Sequence, residues 1–139
     1  MTRADINYIY QETGSMPKVL YHYHNGDQYP SGIRDGYNVL DFVLGDWTPE
    51  NFIKWIGDNY TESDRVIASN DSGMSIEYSQ DSGRKATPEL KDHKIIDDYT
   101  DYGYVFDGTL NKRKITVYSF GDKEFEGTID EFVRWIKKQ

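Results

Sequence analysis

Two well-separated stretches of this chain are written in nearly the same pattern. Thr48-Pro49-Glu50-Asn51-Phe52-Ile53-Lys54-Trp55-Ile56 and Thr128-Ile129-Asp130-Glu131-Phe132-Val133-Arg134-Trp135-Ile136 share a hydroxyl cap, a first-turn acid, apolar helical spacing, a base and a tryptophan. Each predicts a short helix: Pro49 suits the first helical position, and Thr128 with Glu131 forms a capping box. A helix with one apolar stripe must lay it on another layer, which demands a sheet or further helices. The flanking residues do not align, so the match reads as one solution used twice, and no function follows from it.

The sheet is supplied by alternating runs. Val19-Leu20-Tyr21-His22-Tyr23-His24 puts residues 19, 21 and 23 on one side and 20, 22 and 24 on the other. Arg65–Ala68, Met74–Tyr78, Tyr102–Phe106 and Lys114–Tyr118 read as further strands, parted by turns at Asn70–Gly73, Asp81–Gly83 and Asp107-Gly108, with a polar loop over 84–93. Ile33, Tyr37, Leu40 and Leu44 form a helical stripe ending at Gly45. Residues 2–13 predict a helix capped by Thr2, with 1–15 as a loosely attached segment. The expected fold is a single α+β domain over 1–139, an antiparallel sheet covered mainly on one side by helices near 33–44, 49–57 and 128–138. Val19, Leu20, Leu40, Phe52, Ile56, Ile76, Val105, Ile115, Val117, Phe132 and Ile136 are its expected core.

Composition narrows function by exclusion. The 24 acids against 16 bases leave a net charge of −8, which disfavours direct binding to nucleic acid, since phosphate contacts need Lys and Arg. There is no cysteine, so a disulfide framework, a thiolate zinc site and a cysteine nucleophile are excluded, and the chain suits a reducing cytosol. No window approaches the length of apolar sequence that a membrane helix requires. GxSxG, Walker A and GxGxxG patterns are absent, and no cofactor is implied.

Three groups of residues carry candidate chemistry. His22 and His24 on one strand face, with Asp27 and with His93 as a further nitrogen, form a set able to ligate Zn²⁺ or Fe²⁺ in a metal-dependent enzyme. The plainer reading places the tyrosines inward and both imidazoles at a solvated rim. Asp97, Asp98, Tyr99, Asp101, Tyr102, Tyr104 and Asp107 interleave carboxylates with tyrosines, a surface suited to a basic protein partner. The same run also reads as an edge strand guarded by charge. Tyr21, Tyr23, His24, Asp27, Tyr29, Ser31 and Gly32 combine rings with the amides of the Gly26 to Gly32 turn, a pattern for a small, nucleotide-like ligand.

The stretch from Tyr21 to Gly32 also resembles a group of small proteins of phages, prophages and other mobile elements. In that group a strand ends in His-x-Asp-Gly-Tyr-Pro-Ser-Gly and leads into a helix, with a later Tyr-x-Tyr-Val strand. His24, Asp27, Tyr29, Pro30, Ser31 and Gly32 carry the first likeness, and Tyr102-Gly103-Tyr104-Val105-Phe106 the second. The chain departs from the pattern at Gly26, which precedes Asp27, and at Gln28, which stands in place of glycine. The likeness covers residues 18–60 and 100–136 and implies origin without an activity. Together these readings lead to a non-enzymatic cytosolic protein that blocks a host protein, of defence or nucleic-acid-handling kind, through an acidic, tyrosine-rich surface.

Overall fold

The computed structural model describes residues 4–24, 30–31, 39–59, 68–69 and 100–139. Their strands are β1 (Ala4–Tyr10), β2 (Lys18–His24), β3 (Ala68–Ser69), β4 (Tyr102–Asp107), β5 (Lys114–Ser119) and β6 (Asp122–Gly127). The helices are α1 (Val39–Val43), α2 (Pro49–Asn59) and α3 (Ile129–Lys137). The strands form one six-stranded sheet in the order β3-β2-β1-β4-β5-β6. All neighbours are antiparallel except β1 and β4, which run parallel with Ile6 beside Tyr104. The α+β class holds, with one parallel pair where an antiparallel sheet was expected.

The largest departure from expectation is β1. Residues 2–13 do not form a helix: Ala4–Tyr10 is a strand between β2 and β4, so this segment is part of the sheet's middle. Ile6, Ile9 and Tyr10 happen to fall at helical spacing, but Ala4, Ile6, Tyr8 and Tyr10 keep a period of two. Asp5 and Asn7 between them complete an apolar–polar alternation over residues 4–8, a strand signal that the helical spacing of Ile6, Ile9 and Tyr10 masked. Asp5 at 1% exposure and Asn7 at 0% show that its second face is covered as well.

Pairing register assigns the two faces. Ile6 lies opposite His22, and Tyr8 opposite Leu20 on β2. Tyr104 and Phe106 lie opposite Val117 and Ile115, and Val117 lies opposite Phe125. These residues share the face that the helices cover, with α2 over β2 and α3 over β5 and β6. Phe42, Trp47, Phe52 and Phe106 gather round Tyr8 and one another with ring centroids 5.1–6.3 Å apart. Such pairs add about 0.5–1.5 kcal/mol each beyond the area they bury.

The predicted helix over 33–44 is described only from Val39 onward, Ile33 and Tyr37 lying outside the described residues. Its buried residues are Val39, Phe42 and Val43, while Leu40 is half-buried and Leu44 is 64% exposed. The expected stripe therefore picked the neighbouring face of the helix. Val19 and Val105 lie on the other side of the sheet from the main core, at positions paired with Ile9 and Asn7. Strand β6 was not anticipated, because its charged residues hide a pattern in which only Phe125 and Gly127 turn inward under α3. The expected strand at 74–78, with Ile76, and the polar loop 84–93 lie outside the described residues.

Gly108 closes the end of β4. Its N–H donates to the Ile9 carbonyl at 2.7 Å, and a Cβ there would lie 3.1 Å from that oxygen and 3.1 Å from the Tyr8 ring. A side chain at this position would crowd the approach of β4 to β1, which favours glycine there.

Candidate functional site

The described part of the expected acidic, tyrosine-rich surface, Asp101, Tyr102, Tyr104 and Asp107, lies on or next to a strand inside the sheet. Strand β4 lies between β1 and β5, so it is not an edge. Tyr104 is fully buried beneath the helices and Tyr102 packs against the same core. Tyr104 therefore offers no anchoring face, and Tyr102 is half-buried. Asp107 turns back on its own loop, accepting from the Thr109 N–H at 3.0 Å and the Thr109 hydroxyl at 2.6 Å. Asp101 is half-buried, and Asp97, Asp98 and Tyr99 lie outside the described residues.

The histidine strand is also turned the other way from the plainer expectation. His22 is 0% exposed and faces the helix layer beside Ile6, so its imidazole is not at a solvated rim. Position 24 shares that face by register, but its side chain, like that of Tyr23, lies outside the described residues, as do Gly26, Asp27, Tyr29, Gly32 and His93. Ser31 is exposed and Pro30 buried. Among the described residues no three His, Asp or Glu side chains come together as a metal site.

Tyr21 is 4% exposed, and its hydroxyl donates to Asp5 Oδ1 at 2.7 Å. The Thr100 hydroxyl donates to Asp5 Oδ2 at 2.8 Å, so both carboxylate oxygens are held by hydroxyls from β2 and from the approach to β4. Two hydroxyl hydrogen bonds make Asp5 a tie across three segments of the second face. The Tyr21 ring is engaged here and does not present a stacking face to a ligand.

The open polar feature lies between α1 and α2. Asp41, Gly45, Asp46, Asn51, Lys54, Asp58 and Asn59 line a recess of about 410 Å³ whose inner wall is Phe42 and Trp55. Local sequence explains its shape: the Asn51 amide donates to the Asp46 carbonyl at 2.8 Å, and the Thr48 hydroxyl accepts the Asn51 N–H at 3.1 Å. The start of α2 is thereby pinned to the loop that leaves α1. Lys54 donates to Asp58 at 2.8 Å across one turn, and this bond raises the Lys54 pKa above its ordinary value. Asp41, Asp46 and Glu50 are exposed, and Lys54 is the sole base over residues 39–59. The lining offers carboxylates and amide oxygens to a cation entering from solvent.

Beside the recess the aromatic cluster is dry enough to change Tyr8. Its hydroxyl donates to the Trp47 carbonyl at 2.7 Å, and burial foremost, with Tyr10 and Glu50 nearby, pushes its pKa up to about 12, against a smaller lowering by Arg113. The signal that could have found the recess was the run of Asp41, Asp46, Glu50 and Asp58 against one lysine. The Asp5 tie had no such signal, since the partners are far apart in sequence.

Comparison with known protein families, curated proteins and solved structures found no match, so function rests on the geometry just described. The class defined by the fold is an α+β protein with an open mixed sheet and a helix layer on one face. No helix among the described residues is long and apolar enough to cross a membrane.

Proposed function

We propose that this chain works by non-enzymatic binding, docking a basic protein on the acidic side formed by α1 and α2 and blocking it. The observation that carries the reading is the charge of the recess lining, where Asp41, Asp46 and Asp58 stand with Lys54, itself paired to Asp58, as the one base among the described lining residues. Lys or Arg side chains of a partner entering the recess gain carboxylate partners without displacing a core residue. Complementary charge of this kind steers encounter and selects partners more than it adds affinity. The resemblance to small phage and mobile-element proteins favours a host protein as the target, of defence or nucleic-acid-handling kind. This surface replaces the strand over 97–107, where Tyr104 belongs to the core and Tyr102 packs against it.

The test is competitive capture. Immobilised wild-type protein and a variant carrying Asp41→Asn, Asp46→Asn and Asp58→Asn are exposed to the same host lysate, and retained proteins are identified and quantified. A basic protein retained by the wild type and depleted at least tenfold on the variant supports the reading. Equal retention on both removes it, provided the two melt at the same temperature.

A further inference from the structure

Strand β6 pairs with β5 and with no other strand among the described residues, so the described sheet ends there. An edge strand presents a row of backbone N–H and C=O groups to any extended chain, which makes it a template for pairing with a further strand. Six residues are long enough for such pairing, and what β6 carries along them decides whether it happens.

The backbone of β6 is interrupted. Val117 lies opposite Phe125 and its neighbour Tyr118 opposite Lys123, so Glu124 is an extra residue without a partner on β5. A bulge of this kind bends the strand and breaks the regular spacing of its outer groups. It also decides where Lys123 points. In a regular strand residues three apart face opposite sides, yet Lys123 and Glu126 share one face here, opposite Tyr118 and Thr116. On that face Glu126 bonds Lys114 at 2.6 Å and also bonds Lys123. The bonds from Lys114 and Lys123 hold the Glu126 pKa down at about 2, so its charge persists into acid. Asp122, Lys123, Glu124 and Glu126 are all exposed, while Phe125, the one large apolar side chain of the strand, turns under α3 against Phe132 and Trp135. A strand arriving beside β6 would have to follow the kink and set its side chains among these charges.

We propose that β6 is a guarded edge, its Glu124 bulge and its Lys114–Glu126–Lys123 cluster keeping the sheet from pairing with a further strand and the chain from assembling edge to edge with its own copies. The device is independent of the acidic recess, which lies on α1 and α2.

The experiment follows the purified full chain by sedimentation and by hydrogen exchange from micromolar to millimolar concentration. In the wild type the outward amides of β6 should exchange fast at every concentration. Deletion of Glu124 restores an unbroken register, and Lys123→Thr with Glu126→Thr removes the charges while the bulge stays. Each change should lower the concentration at which the chain associates at least tenfold, and the two combined should give assemblies in which the outward β6 amides become protected. A control carrying Asp130→Thr and Arg134→Thr alters as many charges on α3 and should sediment as wild type. If the deletion lowers the melting temperature sharply, the charge variant alone decides, and its behaving as wild type overturns the proposal. Outward β6 amides that become protected in the wild type as concentration rises overturn it too, because the edge is then used and not guarded. So does a combined variant that folds and stays monomeric, or one whose association leaves those amides exposed.

Discussion

Helices α2 and α3 start from nearly the same sequence and end in different roles. Both bury a phenylalanine and an isoleucine completely, Phe52 with Ile56 and Phe132 with Ile136. Their tryptophans diverge: Trp55 is 4% exposed within rings from Phe42 and Phe52, whereas Trp135 is half-buried against Phe125 and Phe132. Their charges diverge too. Residues 39–59, which carry α1 and α2, hold Asp41, Asp46, Glu50 and Asp58 with one lysine, while α3 balances Asp130 and Glu131 with Arg134 and Lys137 in its last turn. A shared helix code fixes which residues face inward, and the neighbouring elements decide which helix has a charged surface available for binding.

Truncating the anchors gives the largest effects. Phe52→Ala and Phe132→Ala should each cost about 3–5 kcal/mol in denaturant unfolding, with Phe52 at the upper end because more rings surround it. Trp55→Ala should cost more than Trp135→Ala, and equal costs would mean that the two helices are buried alike.

Alkaline pH should separate the two clusters next, because Tyr8 lies under α2 and the α3 cluster of Phe125, Phe132 and Trp135 has no ionisable ring. The Tyr8 pKa is raised from 10.0 to about 12, so the stability it lends is complete below pH 10 and is lost as pH climbs through 12. Two units correspond to about 3 kcal/mol. Comparing wild type with Tyr8→Phe by unfolding at rising pH should show a shallower decline in the variant, and parallel declines would contradict the assignment. At neutral pH the substitution should cost about 1 kcal/mol for the lost bond to Trp47.

Caps give the smallest separation. Thr128 and Glu131 close a full capping box, whereas the Asn51 side chain bonds Asp46 and leaves Thr48 with a single cap bond. Thr128→Ala should cost about 1 kcal/mol and Thr48→Ala somewhat less, read from urea midpoints. The backbone N–H of Thr128 lowers the Glu131 pKa, so this contribution is present above the ordinary glutamate range and is lost as pH falls below it. Helicity near the C-terminus should decline in acid accordingly.

What could be read in advance followed the strength of local signals. Proline and threonine at the start of α2, the capping box of α3 and the alternation in β2 are short-range patterns, and each element formed where they placed it. Strand β1 escaped because Ile6, Ile9 and Tyr10 also fit helical spacing, which outweighed the alternation of Ala4, Ile6 and Tyr8 with Asp5 and Asn7, and β6 because its outward residues are charged. Tyr104 was taken for a surface ring because its aspartate neighbours suggested solvent, yet parallel pairing with Ile6 set it in the core. Strand order is a long-range property that no window of sequence displays. The acidic side was legible as a charge count, while the recess needed the turn between α1 and α2.

The central claim is that the α1–α2 side binds a basic partner by electrostatic complementarity, and association kinetics with the captured partner test it most directly. Rates would be measured as ionic strength rises from 0.1 M to 1 M, over which the Debye length falls from about 10 Å to about 3 Å. Wild type should associate more slowly as salt rises, and Asp41→Asn with Asp46→Asn and Asp58→Asn should begin slow and respond little, while Asp130→Asn on α3 behaves as wild type. A wild type whose association rate ignores salt, or an α3 variant as impaired as the α2-side variant, would contradict the account.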